Sequence, residues 1–110
     1  MSFSDSQQFK IPRPIVNPNF VNVETITDTK TLTLKSSTFQ ALDNSGVSAI
    51  TCFLPSYVDG AKFWIMATGS QGINVNLPSA LGGATVASLN AGQSGLFVSS
   101  ATQWINVFKV

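Results

Sequence analysis

The residues able to do acid–base, nucleophilic or metal chemistry are few in this chain. The carboxylates are Asp5, Glu24, Asp28, Asp43 and Asp59, there is one thiol, Cys52, and there is no histidine. Without an imidazole there is no histidine-bearing triad and no histidine metal site. One cysteine forms no intrachain disulfide and no zinc ribbon. A glycosidase needs two acids facing each other across a sugar cleft. Glu24 and Asp28 would face each other only on a helix, and their surroundings read as strand and turn. Asp43 precedes Asn44-Ser45-Gly46 and Asp59 precedes Gly60, the pattern of turn acids bonding nearby backbone. Asp28, Asp43 and Asp59 offer oxygens to a hard cation, but Asp43-Asn44-Ser45-Gly46 lacks the longer spaced pattern of an EF-hand loop. Ser94 stands two residues after Gly92 but only one before Gly95, so it misses the spacing of a nucleophile elbow. Cys52 sits between Thr51 and Phe53 in an apolar stretch with no cationic neighbour in sequence, and reads as a small buried hydrophobe. The expectation is a chain without catalytic residues, cofactor or metal, and without a small-molecule substrate.

Aromatic residues are the remaining candidates. Phe63, Trp64, Trp104 and Phe108 suit stacking on sugars or bases, or packing in a core or a subunit interface. Stacking on nucleic acid calls for clustered Lys or Arg beside the rings, and Lys62 stands alone. The net charge of +1 likewise gives no basic footprint for nucleic acid or an anionic membrane. No apolar run approaches the roughly 18–20 residues of a membrane-spanning helix. The start, MSFSDSQQFK, lacks the basic and apolar stretches of a secretory signal, so a cytosolic site of synthesis is expected.

The elements that would hold these side chains read as strands. Period-two alternation or short apolar runs cover residues 20–27, 31–35, 38–42, 47–54, 61–68, 73–77, 84–89, 95–99 and 103–110. Turn residues separate them: Asp43-Asn44-Ser45-Gly46, Gly69-Ser70-Gln71-Gly72, Gly82-Gly83 and Asn90-Ala91-Gly92. The run AKFWIMAT at 61–68 is continuously apolar, as in a strand covered on both faces. The C-terminal run sets Trp104, Asn106 and Phe108 against Ile105 and Val107. Eight or nine short strands predict an all-β fold, a small antiparallel β-sandwich or barrel. One internal echo stands out: Ile50-Thr51-Cys52-Phe53-Leu54-Pro55-Ser56 returns 23 residues later as Ile73-Asn74-Val75-Asn76-Leu77-Pro78-Ser79. Two copies fall short of the three or more expected of a solenoid, so the echo marks two strand ends where proline stops the ladder.

Residues 1–19 differ from the body at 20–110. Pro12, Pro14 and Pro18 disfavour helix and central strand, and push the preceding residues to extended geometry. Phe3, Phe9, Ile11 and Ile15 are spaced through Ser, Gln, Asn and Pro. The segment reads as an extended arm that docks on a partner, with Phe3, Phe9, Ile11, Pro12, Pro14 and Ile15 as anchors chosen on apolarity and extension alone. Charged residues are only 10% of the chain, while Ser, Thr, Asn and Gln supply 38 of 110 residues. Apolar area on so weakly charged a surface is expected to be covered by copies of the chain or by a larger assembly.

The order of these motifs resembles β-domains of tailed-bacteriophage virion proteins, over roughly residues 31–108. The matching features are a strand ending in Leu54-Pro55, then Gly60-Ala61-Lys62-Phe63-Trp64-Ile65, Ile73-Asn74-Val75-Asn76-Leu77, the turn Ala91-Gly92-Gln93-Ser94, and the final strand with Trp104. Such domains occur as capsid decoration (cement) proteins and as modules of tail fibres and tailspikes. With Met1 taken as the start of a complete short product, the resemblance implies a decoration protein. That implies a homotrimer on the capsid surface of the virion, made in the host cytoplasm, with the major capsid protein as partner. The alternative is a receptor- or glycan-binding tail module using an exposed Trp or Tyr57.

Overall fold

The structure is a computed structural model, and it describes residues 21–110. The arm at 1–19, with its six anchor positions, lies outside the described residues. Nine strands follow one another: β1 (Val21–Ile26), β2 (Lys30–Thr31), β3 (Phe39–Asn44), β4 (Ile50–Phe53), β5 (Lys62–Ala67), β6 (Ile73–Asn76), β7 (Thr85–Leu89), β8 (Ser94–Ser99) and β9 (Trp104–Lys109). Strand is half of the described chain and no α-helix occurs in it; one 3-10 turn covers Ser79–Leu81. The all-β expectation holds. The alternating run at 31–35 yields only the two-residue β2, because the chain turns at once: Thr33 N–H donates to Ser36 Oγ at 2.9 Å and Ser36 N–H donates back to the Thr33 carbonyl at 3.0 Å.

Through β6, odd and even strands go to different layers. The five-stranded sheet has the order β1-β3-β5-β8-β9, and the four-stranded sheet β2-β4-β6-β7. From β1 to β6 each strand crosses to the opposite sheet, and it pairs parallel with the strand two before it. The chain therefore winds through three stacked coils, β1–β2, β3–β4 and β5–β6. It then reverses, and β7, β8 and β9 pair antiparallel with β6, β5 and β8. The expectation of a purely antiparallel body is corrected to two mixed sheets. The physical reason is the spacing of the turns. A hairpin returns the chain beside the strand just left, whereas the turns at 27–29, 45–49 and 68–72 send it across the core.

The 23-residue echo is the period of this winding. Ile50 pairs with Ile73 and Cys52 with Val75 in register, and Lys30 precedes Cys52 in the same file. At the strand ends Leu32 N–H donates to the Phe53 carbonyl and Leu54 N–H to the Asn76 carbonyl, both at 2.9 Å. Leu32, Leu54 and Leu77 thus stack as a file at intervals of 22 and 23 residues, which a register of stacked coils dictates.

The core lies between the sheets. The five-stranded sheet points Ile26, Leu42, Phe63, Ile65, Ala67, Phe97 and Trp104 inward, to meet Ile50, Cys52, Ile73, Val75 and Leu89 from the other sheet. Buried Asn44 ties the coils together at one end: its Nδ2 donates to the Ser48 and Gly72 carbonyls at 2.9 Å, and its Oδ1 accepts from Gly46 N–H at 2.9 Å. At the β1–β2 edge the layer is sealed by polar groups. Lys30 Nζ donates to Glu24 Oε1 at 2.7 Å, and Asn22 Nδ2 donates to Glu24 Oε1 and to Oε1 of buried Gln40.

Candidate interaction face

The residues singled out for chemistry are dispersed. Among the described residues no group of three or more Cys, Asp or Glu gathers to hold a metal ion. Glu24 is tied to Lys30 and Asn22, whose hydrogen bonds hold its carboxyl below the usual range. Asp28 Oδ1 accepts from Thr29 N–H at 2.7 Å, and Asp59 precedes Gly60, whose φ of 87° closes the turn into β5. Asp43 is the penultimate residue of β3, on the outer side of its sheet. Cys52 is fully buried, and burial pushes its thiol up to about 12. Ser94 pairs with Met66 across β8 and β5.

The four aromatics divide between two places. Phe63 and Trp104 face inward, with ring centroids 6.0 Å apart, and Trp104 Nε1 donates to the Pro55 carbonyl at 2.8 Å. Trp64 and Phe108 face outward and meet edge-on, centroids 5.1 Å apart at 75°. Strict alternation along β9 would have put Phe108 on the side of Trp104. A bulge opposite Leu96–Phe97 inserts Val107, so Leu96 pairs with Phe108 and Phe97 with Asn106, and Phe108 changes face.

The outer side of the five-stranded sheet is the largest feature that these registers build. One row crosses all five strands: Val21, Phe39, Trp64, Leu96 and Phe108, each paired with the next. Beside it run Val23, Ala41, Met66 and Ser94 on one side, and Lys62, Val98 and Ile105 on the other. Phe39 and Trp64 rings lie 6.4 Å apart. Val23 is 78% exposed, and Val21, Phe39, Ile105 and Phe108 are exposed as well. Charge appears only at the two ends of this face, as Lys62 and Asp43. The four-stranded sheet shows the opposite surface: its outward rows read Thr51, Asn74, Ser88 and Phe53, Asn76, Thr85.

Val21, Val23, Phe39, Ile105 and Phe108 are the exposed members of these adjoining rows, a contiguous apolar patch of the kind that marks an interaction surface. Sequence reading had placed Trp64 and Phe108 as packing residues, but missed that they share a face with Val21, Val23 and Phe39. The signal lay in the strand registers, which a sequence without pairing information does not supply. Comparison with protein-family models, with curated proteins and with solved structures returned no match.

Proposed function

We propose that the chain is a non-enzymatic structural virion protein: a homotrimeric capsid decoration protein that binds the assembled phage head and stabilises it. The observation that carries this reading is the contrast between the two outer faces. A tile that meets water on one side and protein on the other needs one hydroxyl- and amide-rich face and one apolar face, and the body has both. The scarcity of charge fits a place among identical neighbours, where surface charge would be multiplied. The motif order of the β-domains described above adds the phage context.

The mechanism is linkage. A protein that binds only the assembled shell stabilises that state by mass action. Three joined copies raise the effective concentration of each weak contact. The anchors Phe3, Phe9, Ile11, Pro12, Pro14 and Ile15 bury against shell subunits or extend their sheets by strand addition.

Deletion of residues 1–19 is the test. The truncated protein is expected to stay trimeric and to lose binding to purified shells by cosedimentation. Full occupancy of shells by the truncated protein would refute the role of the arm. A receptor- or glycan-binding module draws less support, because Trp64 stands inside an apolar row between Phe39 and Leu96 and Tyr57 packs against the core. Retention on polysaccharide with no binding to shells would favour that alternative.

A further inference from the structure

We infer that the first coil, β1 with β2, is an acid-sensitive cap that opens from the end of the stack while the rest of the body stays folded, and that the contact of Glu24 with Lys30 is its latch. The inference is independent of the phage reading.

The inward files change character from coil to coil. On the five-stranded sheet Asn22, Gln40 and Ile65 lie in register, as do Glu24, Leu42 and Ala67. On the four-stranded sheet the file is Lys30, Cys52 and Val75. Each file is polar in the first coil and apolar in the third, and the first coil contributes only Ile26 and Leu32 to the core. β1 and β2 are also edge strands at the same end of their sheets. The opposite end is tied, with Lys109 Nζ on β9 donating to the Ser88 carbonyl on β7 at 3.2 Å. The amide of Asn44 does not reach the first coil, since its three bonds go to Gly46, Ser48 and Gly72. A unit at a free edge with so little buried apolar area sits at the low end of local stability.

The latch joins the two layers. Lys30 Nζ on β2 meets Glu24 Oε1 on β1 at 2.7 Å, the one ion pair among the described residues. Asn22 Nδ2 donates to the same Glu24 oxygen at 2.9 Å and to Gln40 Oε1 at 2.8 Å. Glu24 otherwise faces Leu42 in register, and Lys30 faces the Cys52 thiol, which burial keeps neutral. The bonds from Lys30 and Asn22 hold the Glu24 carboxyl below its ordinary range. The latch is therefore complete above the unfolded carboxylate pKa and is lost as pH falls through the lower folded one. Protonation then leaves the Lys30 ammonium, its side chain only 24% exposed, without a counter-charge. Opening uncovers the edges of β3 and β4, which β1 and β2 otherwise pair.

The experiment is hydrogen exchange of the full chain at pH 7 and about pH 3, with protection corrected for the intrinsic rates. Amides of β1 and β2 are compared with those of β5 and β8. In wild type the first coil is expected to be the less protected, and to lose further protection relative to β5 and β8 in acid. Glu24→Gln keeps the size and an acceptor oxygen but removes the charge. It should lower first-coil protection at pH 7 by roughly three- to tenfold, spare β5 and β8, and abolish the extra loss in acid. One common exchange rate for all four strands overturns independent opening. A Glu24→Gln variant that keeps the wild-type pH dependence overturns the latch. Loss of protection throughout the chain in that variant overturns the cap, which by opening alone would leave β5 and β8 untouched.

Discussion

Asn44→Ala tests whether the wound part of the fold is held by the side chain that joins successive turns. Asn44 is fully buried, and its amide makes three hydrogen bonds of 2.9 Å, to the Ser48 and Gly72 carbonyls and from Gly46 N–H. Removing the amide leaves the Gly72 carbonyl with its bond from Ile50 N–H at 3.3 Å, while the Ser48 carbonyl and Gly46 N–H lose their partners. An orphaned buried group costs about 1–3 kcal/mol, less where water reaches it, and Ser48 is exposed. With a small cavity term, the expected loss is roughly 2–4 kcal/mol, a large share of the ~5–15 kcal/mol of a domain this size. Urea unfolding at one fixed protein concentration measures it, and the midpoint should fall with the slope unchanged. Asn44→Asp sharpens the test. It keeps the acceptor for Gly46 N–H but aims a carboxylate at two carbonyls. That carboxyl has a folded pKa raised above its unfolded value, so its deficit shrinks as the pH falls through the folded pKa and is gone below about 3, under the unfolded pKa of about 3.9, where both states are protonated. A loss below about 1 kcal/mol for Asn44→Ala, or a pH-independent Asn44→Asp, would refute the claim that this amide pins the coils.

Two further outcomes follow from close packing and burial. A Cβ at Gly69 would lie 2.6 Å from the backbone nitrogen of Asn44 and 2.7 Å from its backbone carbonyl oxygen, so Gly69→Ala must push two coils apart. About 2 kcal/mol or more of destabilisation is expected in the same urea assay, whereas Gly46→Ala, whose nearest neighbour is the Asn44 side chain at 3.1 Å, should be milder. Cys52 should resist a thiol reagent at pH 8 until the protein is unfolded. Because burial raises its folded pKa to about 12, the unfolded state releases the proton first. Stability attributable to this group is therefore complete below about pH 9, and falls by about 1.4 kcal/mol per unit between there and 12. Alkaline unfolding that is the same in Cys52→Ala would contradict that origin.

What could be read from the chain alone was its local content, and what escaped was pairing. Period-two runs placed eight of the nine strands, because alternation is a property of neighbouring residues. Residues 31–35 were over-read as a strand, since a Thr–Ser turn can reuse the same hydroxyls that decorate a sheet. The 23-residue echo held the topology, but two copies with four identical positions did not distinguish a coil repeat from a reused strand ending. The first coil lacks the motif: Lys30-Thr31-Leu32-Thr33 keeps only the leucine, so the third copy was invisible. Phe108 was assigned to the wrong side because a bulge adds a residue without any change in the apparent alternation. The buried thiol, by contrast, was legible from its immediate neighbours, whereas Asp43, read as a turn acid, lies within β3 because the strand runs on to Asn44.

The apolar face is not a by-product of winding. In a coil the inward positions are set by the core, but the outward positions are free, and the two sheets have filled them differently. The four-stranded sheet carries Thr51, Asn74, Ser88, Asn76 and Thr85 there, residues that suit a sheet facing water. The five-stranded sheet carries Val21, Phe39, Trp64, Leu96 and Phe108 in one apolar row across every strand, with Lys62, Ser94, Thr25 and Asp43 only toward its two ends. Stability of one chain does not need this, since the core lies on the other side. A chain with this little charge has no electrostatic means of keeping such a surface apart from others like it.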